Sequence, residues 1–209
     1  MTIKTRRFPL AVCLLAILAS MTANAALTGR NLAVALRSGG YVILMRHASS
    51  PRLPPQPAEV DPGNVGHERQ LDGNGRASAR EMGDAVRRLR IPIGQVLSSP
   101  TYRALETVRL AGLGVAKTFP QLGDAGQSMR ADTSGARGAW LRQHVAVRPP
   151  PGTNTIIITH APNISEAFPK DGKGLEDGEA LIFRPDGHGT ASLIASVKID
   201  EWPRWAASP

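Results

Sequence analysis

Apolar positions along the chain fall into short continuous runs that alternate with segments of helical spacing. The runs at residues 41–45, 95–98 and 155–159 have the length of strands, with polar residues only at their ends. Such runs are typical of parallel strands that are buried on both faces of a sheet. Two further strands are predicted at 179–184 and 190–197, joined by a turn at 185–187, and a short edge strand at 115–119.

Between these runs, apolar residues recur at three- and four-residue intervals, which predicts amphipathic helices. The predicted helices cover 27–36, 73–90, 101–113 and 134–147, and the segments 49–72 and 120–134 are polar, Gly- and Pro-containing loops. Alternating strands and helices predict an α/β fold with a mostly parallel central sheet and helices on both faces. The C-terminal hairpin adds an antiparallel pair.

The N-terminus has the pattern of a secretory signal peptide. Three basic residues, Lys4, Arg6 and Arg7, precede an apolar run of 12 residues from Phe8 to Ala19 and an Ala-x-Ala site at 23–25. This run is shorter than the roughly 20 residues that a membrane-spanning helix needs. We therefore expect cleavage after Ala25, one domain over residues 26–209, and a periplasmic or secreted protein with no stable membrane insertion.

Removal of this leader changes how the composition is interpreted. The 209-residue chain has a formal net charge of +8, and the leader carries three basic and no acidic residues, which leaves +5. The single cysteine, Cys13, also lies in the leader, so the remaining chain could use neither disulfides nor a cysteine nucleophile. A basic nucleic-acid binder is disfavoured, because aromatic residues are not interleaved with the basic ones.

Histidines follow two of the apolar strands directly. His47 comes after the strand at 41–45 and Arg46, and His160 comes after the strand at 155–159. Ligands of open α/β sheets bind at the carboxyl ends of the strands, where Arg103 is also expected, in the first turn of the helix after the 95–98 strand. Arginine forks match phosphate oxygens, and an imidazole can attack phosphorus. The pattern therefore predicts a phosphate-handling site.

Four segments, in order, resemble the signatures of the histidine phosphatase superfamily, whose fold is phosphoglycerate-mutase-like. Residues 44–49 (LMRHAS) resemble its L-x-R-H signature, and residues 69–76 (RQLDGNGR) its R-x-L-x-x-x-G-R segment. Residues 98–107 (SSPTYRALET) resemble its S-S-P-x-x-R-A-x-E-T segment, and residues 157–160 (IITH) its second-histidine strand. This resemblance spans about 41–197 and implies a three-layer sandwich.

The resemblance also implies roles for the site residues. His47 would be the nucleophile that forms a phosphohistidine, which water then hydrolyses. Arg46, Arg103 and His160 would bind the phosphoryl oxygens, and Arg69 would contribute to substrate binding. No metal and no cofactor is implied. The expected partner is a small phosphorylated substrate or an envelope phosphate group, and the sequence gives no oligomeric state.

The general acid is the least defined part of this expectation. In the small branch of the superfamily the acid lies between the helix that carries Arg103 and the second histidine. Asp124 is the best-placed candidate, with Asp132 and Glu166 as alternatives. Three functions stay open: a phosphatase acting on phosphomonoesters or phosphohistidine, a phosphosugar mutase, and a non-catalytic phosphate-binding or sensor protein.

Overall fold

The computed structural model describes residues 28–124 and 135–207, and their order of elements follows the predicted alternation. The expected leader, its cleavage site and Asp132 lie outside these residues. The elements are α1 (Gly29–Arg37), β1 (Val42–Arg46), α2 (Gly73–Arg88), β2 (Ile93–Ser98), α3 (Tyr102–Ala111), β3 (Lys117–Thr118), α4 (Ala136–Val145), β4 (Asn154–Thr159), α5 (Ala161–Ala167), β5 (Ala180–Pro185), β6 (Ala191–Val197) and α6 (Glu201–Ala207).

The six strands form one sheet in the order β3-β2-β4-β1-β5-β6. The first four strands of that order run parallel to one another, and β5 runs antiparallel to both β1 and β6. The prediction of a mostly parallel sheet with a C-terminal antiparallel pair is therefore confirmed. The expected edge strand at 115–119 is shorter than predicted, since only Lys117 and Thr118 pair with β2.

Side chains alternate across the strands and supply two separate cores. Ile43 and Met45 point to one face, where they pack against α1, α2, α3 and the buried Trp202 of α6. Val42 and Leu44 point to the other face, where α4 and α5 cover them. The helices thus lie on both faces of the sheet, as the sequence predicted.

The start of α2 is tied to the loop that follows β1. Asp72 caps α2, because its Oδ1 accepts a hydrogen bond from the Gly75 amide at 2.7 Å, while its Oδ2 accepts from the Ser49 hydroxyl. This contact holds the loop after β1 at the carboxyl edge of the sheet. Helix α3 is terminated by Gly112, whose φ of +61° is the left-handed conformation that glycine adopts readily.

No helix among the described residues has both the length and the apolar character needed to cross a membrane. Two helices were not predicted, α5 and α6, together with short 3₁₀ turns at Pro57–Glu59 and Pro120–Leu122.

Candidate active site

The pairing of β1 with β4 places the two strand-end histidines side by side. Arg46 is in register with Thr159, so His47 and His160 each lie one residue beyond that pair. The His47 amide donates to the Thr159 carbonyl at 3.0 Å, and the imidazole centroids are 5.1 Å apart. Both side chains are buried. The two histidines therefore occupy one site, as the sequence predicted.

Arg103 joins them from the neighbouring strand. Strand β2 lies beside β4, and the turn after it leads directly into α3, where Arg103 is the second residue. Its side chain is fully buried, with Nε 3.3 Å from His47 Nε2 and Nη2 3.2 Å from His160 Nδ1. One guanidinium thus contacts both imidazoles.

Hydrogen bonds define the protonation of His47. Its Nδ1 lies 2.7 Å from the Ala48 carbonyl oxygen, which can only accept, so Nδ1 carries the proton. Burial, followed by the charges of Arg103, Arg46 and Arg69, lowers the pKa of His47 to about 3, although the Ala48 hydrogen bond opposes this shift. His47 is therefore neutral, and its unprotonated Nε2 accepts a hydrogen bond from Arg103 Nε at 3.3 Å.

His160 is neutral for similar reasons and has the opposite tautomer. Its Nδ1 accepts from Arg103, and its Nε2 lies 2.9 Å from the Ser99 hydroxyl and 3.3 Å from the Thr101 hydroxyl. Burial and then the nearby His47 and Arg103 lower its pKa well below the ordinary value. Ser99 and Thr101 thereby orient His160, a role that we did not predict although both residues belong to the 98–107 segment.

Arg46 lies at the end of β1, and its guanidinium is held from behind. Its Nη2 forms an ion pair with Asp177 Oδ1 at 2.5 Å, and its Nη1 donates to the Leu175 carbonyl at 2.6 Å. Among the described residues, its buried Nε has no hydrogen-bond partner. No spacing or motif in the sequence indicated Asp177.

Of the three candidate acids, the structure places Asp124 in the site. Its carboxylate is buried and forms an ion pair with Arg103 at 2.9 Å. Glu166 does not reach the site, because it is exposed on α5 and accepts a hydrogen bond from the Gly138 amide in the first turn of α4. The alternative of Glu166 is therefore wrong, and its carboxylate instead serves the N-terminus of that helix.

The histidines open onto a pocket of about 300 Å³. Its lining consists of Arg46, His47, Arg52, Arg69, His160, Ala161 and Pro162. Arg69 donates to the carbonyls of Pro51 and Ser50, so it also attaches the Pro-rich loop to the pocket wall. Burial and then the nearby Arg103 lower the pKa of Arg69, which reflects the density of positive charge around the cavity. Such a pocket suits a phosphate dianion.

Within residues 28–124 and 135–207, no group of three or more His, Cys, Asp or Glu side chains is placed to hold a metal ion.

Comparison with solved structures places this architecture in a known fold. A protein histidine phosphatase SixA, solved with tungstate, superposes with a TM-score of 0.54 at 19% identity, covering 77% of this chain and 97% of that chain. A phosphoserine phosphatase variant from Entamoeba histolytica, solved with phosphoserine, gives 0.52 at 14% identity, covering 77% and 98%. A mycobacterial hydrolase gives 0.50 at 15% identity, covering 75% and 99%.

The chain has the α/β fold of the histidine phosphatase superfamily. The resemblance based on the four sequence segments is thus confirmed for the fold. The sequence itself matches no protein-family model and no curated protein.

Proposed function

We propose that this protein is a metal-independent phosphatase that hydrolyses phosphomonoesters or phosphohistidine through a phosphohistidine on His47. One observation carries the proposal. His47 is neutral, its proton is held on Nδ1 by the Ala48 carbonyl, and its Nε2 belongs to a pocket lined by arginines. A neutral imidazole nitrogen beside bound phosphate is a competent nucleophile.

The proposed reaction has two displacements at phosphorus. Nε2 of His47 attacks, the P–N bond to His47 forms, and the P–O or P–N bond to the leaving group breaks with its electron pair. Water then attacks the phosphohistidine, the bond to Nε2 breaks, and inorganic phosphate leaves. Arg46 and Arg103 stabilise the charge on the phosphoryl oxygens in both steps, beside His160.

Asp124 is the proposed proton donor to the leaving group, since its carboxylate lies against Arg103 at the centre of the site. An alkoxide leaving group needs this proton in the transition state. A phosphoramidate leaves as an amine or imidazole whose nitrogen can already be protonated. This feature favours phosphohistidine as a substrate, which is the activity named for the SixA protein above.

Hydrolysis of p-nitrophenyl phosphate tests the proposal. We expect the wild-type protein to release p-nitrophenol at the same rate with and without EDTA, and His47→Ala to lose activity. His67→Ala, at an exposed histidine outside the pocket, is the matched control and retains full activity.

Four results would contradict the proposal or replace it. Equal activity of wild type and His47→Ala excludes His47 as the nucleophile, and loss of activity in EDTA excludes the metal-independent reaction. Binding of inorganic phosphate by a wild type that hydrolyses neither p-nitrophenyl phosphate nor phosphohistidine identifies a phosphate-binding or sensor protein. Transfer of the phosphoryl group to a second sugar hydroxyl identifies a mutase.

We also propose that the protein is exported and acts on small phosphorylated substrates or envelope phosphate groups. The basic, apolar and Ala-x-Ala segments of residues 1–25 support export. Mass spectrometry of the protein recovered from its native cell envelope or medium is expected to give a chain that begins at Ala26. Recovery of an intact leader from the cytoplasm alone would contradict export.

A further inference from the structure

The guanidinium of Arg46 is anchored at the end opposite to its Nε. Asp177 binds Nη2 and the Leu175 carbonyl binds Nη1, so both terminal nitrogens are engaged by one short segment of chain. The buried Nε, which has no hydrogen-bond partner among the described residues, is left to a ligand in the pocket that Arg46 lines. A planar fork held in this way has little freedom to rotate.

The segment that supplies these anchors is itself attached to the catalytic strand. The Gly178 amide donates to the His47 carbonyl at 2.9 Å, and the Arg46 amide donates to the Glu179 carbonyl at 3.0 Å. Gly178 has a φ of +75°, and a Cβ at this position would lie 2.5 Å from Ile199 Cδ1. The backbone that directly follows Asp177 is therefore fixed relative to His47.

We propose that Asp177 is a positioning residue, which orients Arg46 so that its free N–H groups meet the phosphoryl oxygens. Carboxylates behind ligand-binding side chains commonly play this role, because they restrict the orientation of the first contact. The inference rests on the proposed function and extends it to a residue that touches Arg46 and not the substrate. Asp177 is not among the residues that line the pocket.

A positioning role and long-range electrostatics predict opposite changes in anion affinity when the Asp177 carboxylate is removed. Asp177→Asn makes the surroundings of the pocket more positive, so long-range attraction alone would strengthen anion binding. If Asp177 orients Arg46, the same substitution weakens anion binding, since the guanidinium loses the ion pair that holds it. If Asp177 instead competes with the ligand for Arg46, binding also becomes tighter.

The probe is orthovanadate, a phosphate analogue, with its Kd measured by isothermal titration calorimetry. We expect Asp177→Asn to weaken binding about fivefold or more, in line with the loss of a close, partly buried ion pair. Asp177→Glu keeps the ion pair and restores part of the affinity. Glu176→Gln is the matched control, because its neighbouring, exposed carboxylate pairs with Lys198 and carries the same charge.

A double-mutant cycle separates positioning from a general structural effect. In an Arg46→Ala background, Asp177→Asn is expected to change the Kd for vanadate by less than about twofold. Asp177 is one-third exposed at a cleft, so the amide has room and the variant keeps its fold.

Tighter vanadate binding by Asp177→Asn, or an equal loss in the Arg46→Ala background, would overturn the inference. A loss of equal size in Glu176→Gln would show that the effect is not specific to Asp177 and would also overturn the inference. A wild type that binds no vanadate contradicts the proposed function itself. If wild type binds vanadate and Asp177→Asn binds it with the same Kd, only the role of Asp177 is contradicted.

Discussion

At the scale of single residues, burial determines the chemistry of the two histidines. Water is excluded from His47 and His160, and arginine charges surround them, so both imidazoles are neutral in the folded protein. A neutral histidine costs stability in acid, because the unfolded chain can bind a proton that the folded chain cannot. The burial that keeps His47 neutral, as the proposed nucleophile must be, therefore also makes the fold sensitive to acid.

The first prediction concerns this pH dependence. The pKa of His47 is about 3 in the folded state and 6.5 in the unfolded state, so the free energy of unfolding falls as the pH drops below 6.5. At pH 5 the loss from His47 alone is about 2 kcal/mol. Urea unfolding of wild type and His47→Gln at pH 7 and pH 5 measures this loss of unfolding free energy.

His47→Gln removes the titrating group, so this variant should lose about 2 kcal/mol less than wild type between the two pH values. His188→Gln, at an exposed histidine, is the control and should behave like wild type. Equal losses in wild type and His47→Gln would show that His47 is not held neutral by the fold.

The second prediction concerns Asp124 as the proton donor. Asp124→Asn retains an oxygen that can accept from Arg103 but cannot give a proton. We expect kcat to fall about a hundredfold for an alkyl phosphate, whose alkoxide needs protonation, and much less for p-nitrophenyl phosphate. Glu166→Gln, at the carboxylate outside the site, leaves both rates unchanged. An equal fall in kcat for the two substrates would show that Asp124 orients Arg103 and does not donate the proton.

The sequence was informative for residues at strand ends and not for residues in long loops. His47, His160 and Arg103 could be placed together because parallel strands bring their carboxyl ends to one edge. Asp124 lies between the Arg103 helix and the second histidine, and Glu166 follows that histidine in α5, so only the packing shows which carboxylate reaches the site. Asp177 was not predicted, since its distance from Arg46 is set by the pairing of β5 with β1.

At the scale of elements, close helix packing holds the site edge in place. Gly83 of α2 contacts the C-terminus of α3, and a Cβ there would lie 1.9 Å from the Ala111 carbonyl oxygen. Helix α3 carries Arg103 in its first turn, so the α2–α3 contact contributes to the position of that side chain. Glycine at position 83 is therefore required by proximity and not by its φ angle.

The third prediction uses this contact. Gly83→Ala should lower the free energy of unfolding by about 1–3 kcal/mol, because α2 must move away from α3. This cost opposes the roughly 1 kcal/mol by which alanine favours a helix over glycine. Gly73→Ala is the matched control in the same helix, with no atom within 4 Å of the new Cβ. If Gly83→Ala had the same free energy of urea unfolding as wild type, the close approach of α2 to α3 would be contradicted.

Long periodic helices and buried strands were predictable, and short elements were not. The apolar periodicity of 73–90 identified α2 because sixteen helical residues repeat the pattern several times. Helices α5 and α6 have only seven residues each, too few for a period to stand out, and both contain a proline. Their helical conformation depends on tertiary contacts, such as the burial of Trp202 in the core.

At the scale of the whole molecule, the sheet separates two apolar cores and leaves its carboxyl edge for chemistry. Positive side chains concentrate at that edge, where Arg46, Arg52, Arg69 and Arg103 surround the histidines. Part of the positive formal charge of the chain is thus concentrated around one pocket. An anion pocket accounts for these arginines better than a nucleic-acid surface does.

The most direct test of the account is the detection of a phosphoryl group on His47. The protein is mixed with p-nitrophenyl phosphate, stopped within the first turnovers in alkali, in which phosphohistidine survives, and digested for mass spectrometry. We predict one added phosphoryl group on the peptide that contains His47, and none in His47→Ala. A phosphoryl group on another residue, or turnover with no phosphorylated peptide, would contradict the proposed mechanism.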